Sequence, residues 1–126
     1  MPKVTKETAS HVEEMPGYEG RFEQLGEYTV AFERFGQDMD AAPLFHGLPD
    51  DRCQSPHWGI VVKGSITFRY ADGEETIGEG EVYYAAPGHT PVLTAGTEVI
   101  EFSPTEPLNQ TLAVVGRNAA AMLPSS

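Results

Sequence analysis

Chain reversals between positions 57 and 104 are signalled roughly every six to ten residues, and this spacing most limits what the chain can fold into. The turn signals are Gly64, Asp72-Gly73, Gly78-Glu79-Gly80, Pro87-Gly88 and Ala95-Gly96-Thr97. The segments between them are short and rich in β-branched and aromatic residues, which favours strands over helices. Many short strands at such intervals predict an all-β sandwich or barrel.

The strands themselves are indicated by apolar runs and by alternation. Ile66, Phe68 and Tyr70 alternate with Thr67 and Arg69, which is the pattern of a half-buried strand. The predicted strands of this region are 58–63, 66–70, 82–85, 92–94 and 98–103.

The flanks differ from this central region. Residues 1–20 are polar and unpatterned and predict an N-terminal arm, whereas 21–38 is strand-like and 38–52 has the composition of a loop. After Pro104, apolar residues step by three or four, which predicts a helix capped by Thr105. Those residues are Leu108, Leu112, Val115, Ala119 and Met122. We therefore expect an arm at 1–20, a β-barrel at 21–104 and a C-terminal helix at 105–126 packed on the outside of the barrel.

Charge and cysteine content exclude several function classes. The chain has 126 residues, with 19 acidic against 8 basic side chains and a net charge of -11. Nucleic acid and anionic membrane surfaces both require a basic surface, so neither is expected as a partner. The first residues lack the apolar stretch of a signal peptide, and the single cysteine, Cys53, cannot form an internal disulfide. We expect a cytoplasmic protein without a membrane span.

Two segments resemble the short motifs of the cupin superfamily, G-x5-H-x-H-x3,4-E-x6-G and G-x5-P-x-G-x2-H-x3-N. Gly64 fits the closing glycine of the first motif. Counting back from it places His57 at the family's glutamate, Cys53 at its second histidine and Asp51 at its first. All three family ligands are thus replaced, but a carboxylate, a thiolate and an imidazole are themselves metal ligands.

The second motif fits its glycines better than its histidine. Gly80 opens it and Gly88 falls where expected, while Pro87 comes one place late. His89 lies two places before the family's histidine, where this chain has Pro91. The resemblance covers about half of the chain, roughly residues 47–104.

The resemblance implies a cupin double-stranded β-helix (jelly-roll barrel), with a pocket at one end that holds a divalent transition metal, Mn, Fe, Ni or Zn. It implies His57 and His89 as metal ligands facing each other across that pocket, with Cys53 or Asp51 as further ligands. Each has a plainer interpretation: histidines hydrogen-bonded in the barrel mouth, a small buried cysteine, and an aspartate in a solvated loop. Family members commonly pair, so a homodimer is expected.

Two further side chains are candidates for catalysis. Glu101 interrupts the apolar strand around it, so it faces either solvent or the pocket, as ligand or general base. Tyr83 and Tyr84 are adjacent, so one of them points inward, and an inward Tyr83 would donate to a substrate or fill the core. Alternation suggests a pocket lined by four residues: Ile60, Phe68, Tyr83 and Val92.

Three functional hypotheses remain open from the sequence. The first is a metal-dependent cupin that acts on a small organic molecule, with a dioxygenase-type oxidoreductase favoured among the family's activities. The second is a non-catalytic module that binds or senses a small ligand. The third is a metal-free, isomerase-like cupin that uses His57 as acid or base.

Overall fold

The computed structural model describes residues 3–122, which form ten strands, two short 3-10 helices and one α-helix. The strands are β1 (His11–Met15), β2 (Tyr18–Leu25), β3 (Tyr28–Phe35), β4 (Met39–Asp40), β5 (His57–Lys63), β6 (Ser65–Tyr70), β7 (Gly73–Gly78), β8 (Val82–Ala85), β9 (Thr90–Leu93) and β10 (Thr97–Pro104). The 3-10 helices are Ala42–Phe45 and Pro49–Asp51, and the α-helix, α1, is Thr105–Met122.

The strands form two antiparallel sheets. The larger has six strands in the order β1-β2-β3-β10-β5-β8, and the smaller has four in the order β4-β9-β6-β7. The neighbours β10 and β5 are far apart in sequence, as are β9 and β6, so each sheet is assembled from distant segments. This all-β architecture confirms the fold class expected from the turn spacing and the motifs.

The inner faces of the two sheets share one apolar core. Its buried side chains are Phe35, Val61, Ile66, Phe68, Ile77, Tyr83, Ala85, Leu93 and Val99. Strand alternation decides which residues reach this core. Phe68 and Tyr83 point inward as expected, and their rings are 5.0 Å apart. The expectation for Ile60 and Val92 is wrong, because Ile60 lies between the inward-facing Gly59 and Val61, and Val92 pairs with the outward-facing Thr67.

The N-terminal segment is more integrated than an arm. Strand β1 and the first residues of β2 already pair in the six-stranded sheet, and β2 crosses the boundary expected between residues 20 and 21. The polar residues that suggested an arm are exposed, since β1 is an edge strand and four of its five residues face solvent. A buried Gly20 and the half-buried Tyr18 show that β2 reaches the interior.

Helix α1 occupies the place expected in the sequence, but its location relative to the barrel differs. Its buried residues, Leu108, Thr111 and Ala119, face the same cavity as the inner faces of the sheets. The Asn118 side-chain amide donates to the carbonyl oxygens of Leu44 and His46, at 2.7 and 2.9 Å. The helix therefore covers one end of the space between the sheets rather than packing on the outside.

Candidate metal centre and its cavity

A cavity of about 720 Å³ lies between the sheets and helix α1. Most of its walls are aromatic and aliphatic side chains from β2, β3, β6 and α1. A volume in this range suits a small organic molecule. Two clusters of titratable side chains lie in the interior part of its walls: a cysteine with two histidines, and a pair of carboxyl groups.

The first set is Cys53, His57 and His89, all buried. One potential ligand atom from each lies within 4.8 Å of the other two. His57 begins β5, while Cys53 and His89 are joined by backbone pairing: the Cys53 N–H donates to His89 O at 2.9 Å, and the Gly88 N–H donates to Cys53 O at 2.7 Å. The turn before His89 requires a positive φ of 96° at Gly88, which glycine adopts without strain.

One ring nitrogen of each histidine, Nδ1, already has a protein partner outside the cluster. We call it the outer nitrogen, and Nε2 the inner nitrogen. His89 Nδ1 donates to the Ala86 carbonyl oxygen at 2.6 Å, which leaves Nε2 as its acceptor. His57 Nδ1 lies 2.6 Å from Ser103 Oγ and 3.5 Å from Glu101 Oε1. Its Nε2 lies 3.4 Å from Cys53 Sγ. Outer partners of this kind fix the ring orientation and tautomer of metal-binding histidines.

Protonation states also suit metal binding. Burial lowers the pKa of His57 to about 4 and, together with the nearby His57 ring, that of His89 to about 4. Both imidazoles are therefore neutral near pH 7, which is the ligating form. Burial raises the pKa of the Cys53 thiol to about 11, so the thiol is protonated near pH 7 and binding of a metal ion would release that proton.

The donor set fits a divalent transition metal. In a tetrahedral site with metal–sulfur and metal–nitrogen bonds of about 2.3 and 2.1 Å, a sulfur and a nitrogen ligand are about 3.6 Å apart. The Cys53–His57 separation of 3.4 Å matches this value. A four-coordinate metal held by these three residues would keep one position for water or substrate, as catalytic rather than structural zinc sites do.

The second set is formed by Glu33 and Glu101, each bonded to a tyrosine. Tyr18 Oη donates to Glu33 Oε2 at 2.6 Å, and Tyr83 Oη donates to Glu101 Oε2 at 2.5 Å. Burial raises the pKa of both carboxyl groups well above the usual range, and the proximity of Glu101 raises that of Glu33 further. Burial and the facing carboxylates likewise raise the pKa of both tyrosines.

A glycine beside each tyrosine makes this arrangement possible. A Cβ on Gly59 would lie 2.6 Å from Tyr83 Oη and 2.7 Å from the Ile100 carbonyl oxygen. A Cβ on Gly20 would likewise collide with the Tyr18 ring. Both glycines clear the space through which a tyrosine reaches its carboxyl partner.

The structure brings together five of the six residues expected at the site. Cys53, His57 and His89 form the cluster, while Glu101 faces the cavity and joins Tyr83 to the surroundings of His57. The expectation that Asp51 is a ligand is wrong. Its side chain is 60% exposed, and its carboxylate accepts from the Gly47 N–H at 3.0 Å and lies 3.5 Å from His46. Its 3-10 helix, with Asp50 and Asp51 at positive φ, turns it away from the cluster.

Sequence reasoning missed Ser103, Glu33 and Tyr18. Ser103 could have been found, because strand alternation places it on the same face as Glu101. Glu33 gave no signal, because Phe32-Glu33-Arg34 has the appearance of an ordinary surface strand. Tyr18 fell in the segment interpreted as an arm.

Comparison with known proteins shows the fold. A crystal structure of a protein of unknown function from Rhizobium leguminosarum bv. viciae 3841 is 20% identical, with a TM-score of 0.57, and the match covers 82% of this chain and 95% of that one. An RmlC-like cupin from Shewanella frigidimarina NCIMB 400 is 16% identical, with a TM-score of 0.56, and the match covers 82% of this chain and 90% of the other. No protein-family model and no curated protein matches the chain significantly.

These likenesses and the two-sheet architecture agree with the resemblance found in the sequence. The chain has the fold of a small cupin domain. The cavity with its cysteine and two histidines is of the type that can hold a metal ion. In the described part of the chain, no helix has the length and apolarity needed to cross a bilayer.

Proposed function

We propose that this protein is a metal-dependent cupin that acts on a small organic molecule bound in the cavity beneath helix α1. The observation that carries this proposal is the convergence of Cys53, His57 and His89 at one end of that cavity. Two of these residues are buried imidazoles whose outer nitrogens are already occupied, so their inner nitrogens are available to a metal.

The protein side of the chemistry follows from the contacts. Ser103 and Glu101 hold the His57 ring, and the Ala86 carbonyl holds the His89 ring, so the three donors keep their geometry without reorganisation. The aromatic and aliphatic walls exclude water and orient the substrate. A bound metal would supply a Lewis acid or a redox centre with an open position for a substrate oxygen.

The reaction class depends on the metal. A thiolate beside two imidazoles suits zinc, nickel or iron better than manganese, which prefers oxygen ligands. The dioxygenase-type oxidation favoured by the resemblance requires a redox-active metal, so bound iron would support it and bound zinc would favour hydrolytic or isomerising chemistry.

The metal-free alternative has less support. A histidine that acts as general acid or base must reach the substrate with one nitrogen. In this structure His57 has Nδ1 beside Ser103 and Nε2 beside Cys53, so both nitrogens have protein neighbours in the positions where a substrate would have to be.

The first test is the metal content of purified protein, measured by elemental mass spectrometry. We expect near-stoichiometric metal in the wild type and its loss in Cys53→Ala, His57→Ala and His89→Ala. His46→Ala and Asp51→Asn are matched controls that should keep the metal, because both side chains are exposed outside the cluster. Absence of metal from the wild type after incubation with iron, zinc and nickel would refute the proposal. Metal without turnover of any tested compound would leave the binding or sensing alternative.

We also propose a homodimer formed through the outer face of the six-stranded sheet. On strands β3, β5, β8 and β10 of this face, six large apolar side chains are 40% or more exposed: Tyr28, Trp58, Val62, Val82, Tyr84 and Phe102. The Trp58 ring lies 5.1 Å from Tyr84 and 6.0 Å from Tyr28, so the aromatic residues form one patch. Aromatic residues of this kind are enriched in the core of protein–protein interfaces, in which each partner buries ~800 Å².

Light scattering after size-exclusion chromatography tests this second proposal. The wild type should have twice the chain mass of 13.7 kDa. Val82→Asp should shift the protein to monomer, because Val82 is 76% exposed within the patch. Met122→Asp, at an exposed apolar position near the end of helix α1, is the control and should remain dimeric. A monomeric wild type at micromolar concentration would refute the dimer.

A further inference from the structure

The charged residues that line the cavity have one sign. They are Glu13, Glu23, Glu33 and Glu101, and within residues 3–122 no lysine or arginine lines it. Three histidines also line it: burial keeps His57 and His89 neutral near pH 7, and the exposed His11 lies 2.8 Å from the Glu13 carboxylate. Proteins that bind carboxylates or phosphates supply arginine, lysine or a group of backbone N–H donors. The walls away from the cysteine–histidine cluster therefore disfavour an anion.

We propose that the substrate of this cavity is an apolar organic amine, with its cationic nitrogen bound at Glu33, and that carboxylates and phosphates are excluded. This inference rests on the proposed function, because it names the substrate class of the same site.

Glu33 is the group that most needs a cation. Its only hydrogen bond among the described residues is the one that Tyr18 Oη donates to its Oε2 at 2.6 Å, and it forms no ion pair there. Carboxylates in protein interiors are normally paired with a cation. An ammonium group within hydrogen-bonding distance of Glu33 would provide that missing charge and a charge-assisted hydrogen bond.

The rest of the wall suits the body of such a molecule. The rings of Tyr18, Phe22, Phe35 and Phe68 line the cavity, and Tyr18 and Phe35 have centroids 5.2 Å apart. Aromatic faces bury apolar groups and also attract organic cations. An amine with an aryl or alkyl body would use both properties.

The sheet register places the amine site apart from the metal cluster. On β10, Glu101 lies opposite Ala31, whereas Glu33 lies opposite Val99. Two residues along a strand correspond to about 7 Å. The charge of a bound metal, which the Cys53 thiolate partly neutralises, acts mainly at the other end of the cavity. A substrate would thus present its reacting group to the cluster and its nitrogen to Glu33.

Three matched probes test the charge preference: 4-phenylbutylamine, 4-phenylbutanol and 4-phenylbutyrate, measured by titration calorimetry on metal-loaded protein. We expect the amine to bind at least about tenfold more tightly than the alcohol, the fold-change of one charge-assisted hydrogen bond. The acid should show no binding. Equal or tighter binding of the acid or the alcohol would overturn the proposal, and so would failure of all three probes to bind at millimolar concentration.

Glu33→Gln tests whether Glu33 carries the preference. The substitution keeps the shape and a hydrogen-bond partner for Tyr18 but removes the charge, so the amine should lose about tenfold in affinity while the alcohol changes little. Glu79→Gln, on the exposed turn before β8, is the control and should bind the amine as the wild type does. Unchanged amine affinity in Glu33→Gln would overturn the assignment to this residue.

Metal content measured on the same samples separates the two proposals. Glu33→Gln should keep the wild-type metal content, since the residue does not contact the cluster. If the wild type holds no metal but still prefers the amine, the proposed function fails and the charge preference stands. If the wild type holds metal and binds the acid best, the proposed function stands and the charge preference fails.

Discussion

The two clusters of polar groups in the cavity, which we call its two polar ends, differ in how fully their hydrogen bonds and charges are satisfied. At the cluster, each imidazole has an outer hydrogen-bond partner and an inner nitrogen directed toward the other ligands. At the carboxyl end, Glu33 and Glu101 each have a tyrosine partner, but no lysine or arginine of residues 3–122 approaches either one. The cluster is organised for a metal ion, whereas the carboxyl end still lacks a positive charge.

The difference shows how burial acts on opposite kinds of titratable group. Burial lowers the pKa of the histidines and so favours the neutral form that binds metal. The same burial raises the pKa of the carboxyl groups, which makes their charge costly until a cation arrives. Burial in one apolar cavity therefore favours metal binding at the histidines and cation binding at the carboxyl groups.

The largest expected effect concerns the cluster. A metal at a thousand times its dissociation constant stabilises the native state by about 4 kcal/mol, so removing it should lower the melting temperature by about 10 °C or more. Scanning calorimetry with zinc and with excess chelator measures this difference. In His89→Ala the difference should vanish, and in His46→Ala it should persist. An equal difference in His89→Ala would place the metal elsewhere.

The next effect concerns Glu33 and pH. Burial raises its pKa from the usual 4.5 to about 7 in the folded state, so the folded protein holds more protons than the unfolded chain between these pH values. Its contribution is fully favourable below about pH 4.5 and is lost as the pH rises through about 7, which amounts to about 3 kcal/mol. Relative to the wild type, Glu33→Gln should therefore gain stability between pH 5 and pH 8.

Urea denaturation of metal-free protein at several pH values measures this gain. The histidines act in the opposite direction, because their lowered pKa values cost stability as the pH falls from 6.5 through about 4. They are present in both proteins, so the difference between wild type and variant isolates the carboxyl pair. A gain that does not change with pH would mean that Glu33 is ionised at pH 5 in the folded state.

Much of the barrel could be predicted from the sequence because its signals are local. Gly64, Gly80 and the Pro87-Gly88 pair mark chain reversals, and the strands at 82–85 and 98–103 lie within a residue or two of β8 and β10. The residues of the cluster could be predicted from the resemblance to cupins. Counting back from Gly64 along the first motif reaches His57 and Cys53, which lie at the start of β5 and in the segment before it.

What the sequence could not reveal depends on contacts between distant segments. The pairing of β3 with β10 brings Glu33 near Glu101, and nothing within either segment signals that neighbour. The location of α1 could not be predicted for the same reason. The helical spacing of its apolar residues does not indicate which surface the helix covers. Asp51 was wrongly included because counting along a motif assumes an extended chain, whereas here the chain turns at Pro49–Asp51.

A smaller effect tests the packing of the carboxyl end. Gly59→Ala would place a Cβ 2.7 Å from the Ile100 carbonyl oxygen, which belongs to a paired strand and cannot move freely. We expect a loss of about 2 kcal/mol in the free energy of unfolding. Gly116→Ala is the matched control: nothing lies within 4 Å of its Cβ, and alanine in a helix interior should gain about 1 kcal/mol. Equal effects of both changes would show that Tyr83 and the Ile100 carbonyl both shift easily to make room for the Cβ.

The smallest expected effect concerns the outer partner of His57. Ser103→Ala removes the hydroxyl 2.6 Å from Nδ1, but Glu101 Oε1 at 3.5 Å can move closer and take its place. Metal affinity should therefore fall only about tenfold, at the low end for loss of such a partner. Competition with a chromophoric chelator measures it, with Ser65→Ala, outside the cavity, as control. A far larger loss would show that Glu101 cannot replace the hydroxyl because Tyr83 holds it in place, which would make the two ends of the cavity mechanically dependent on each other.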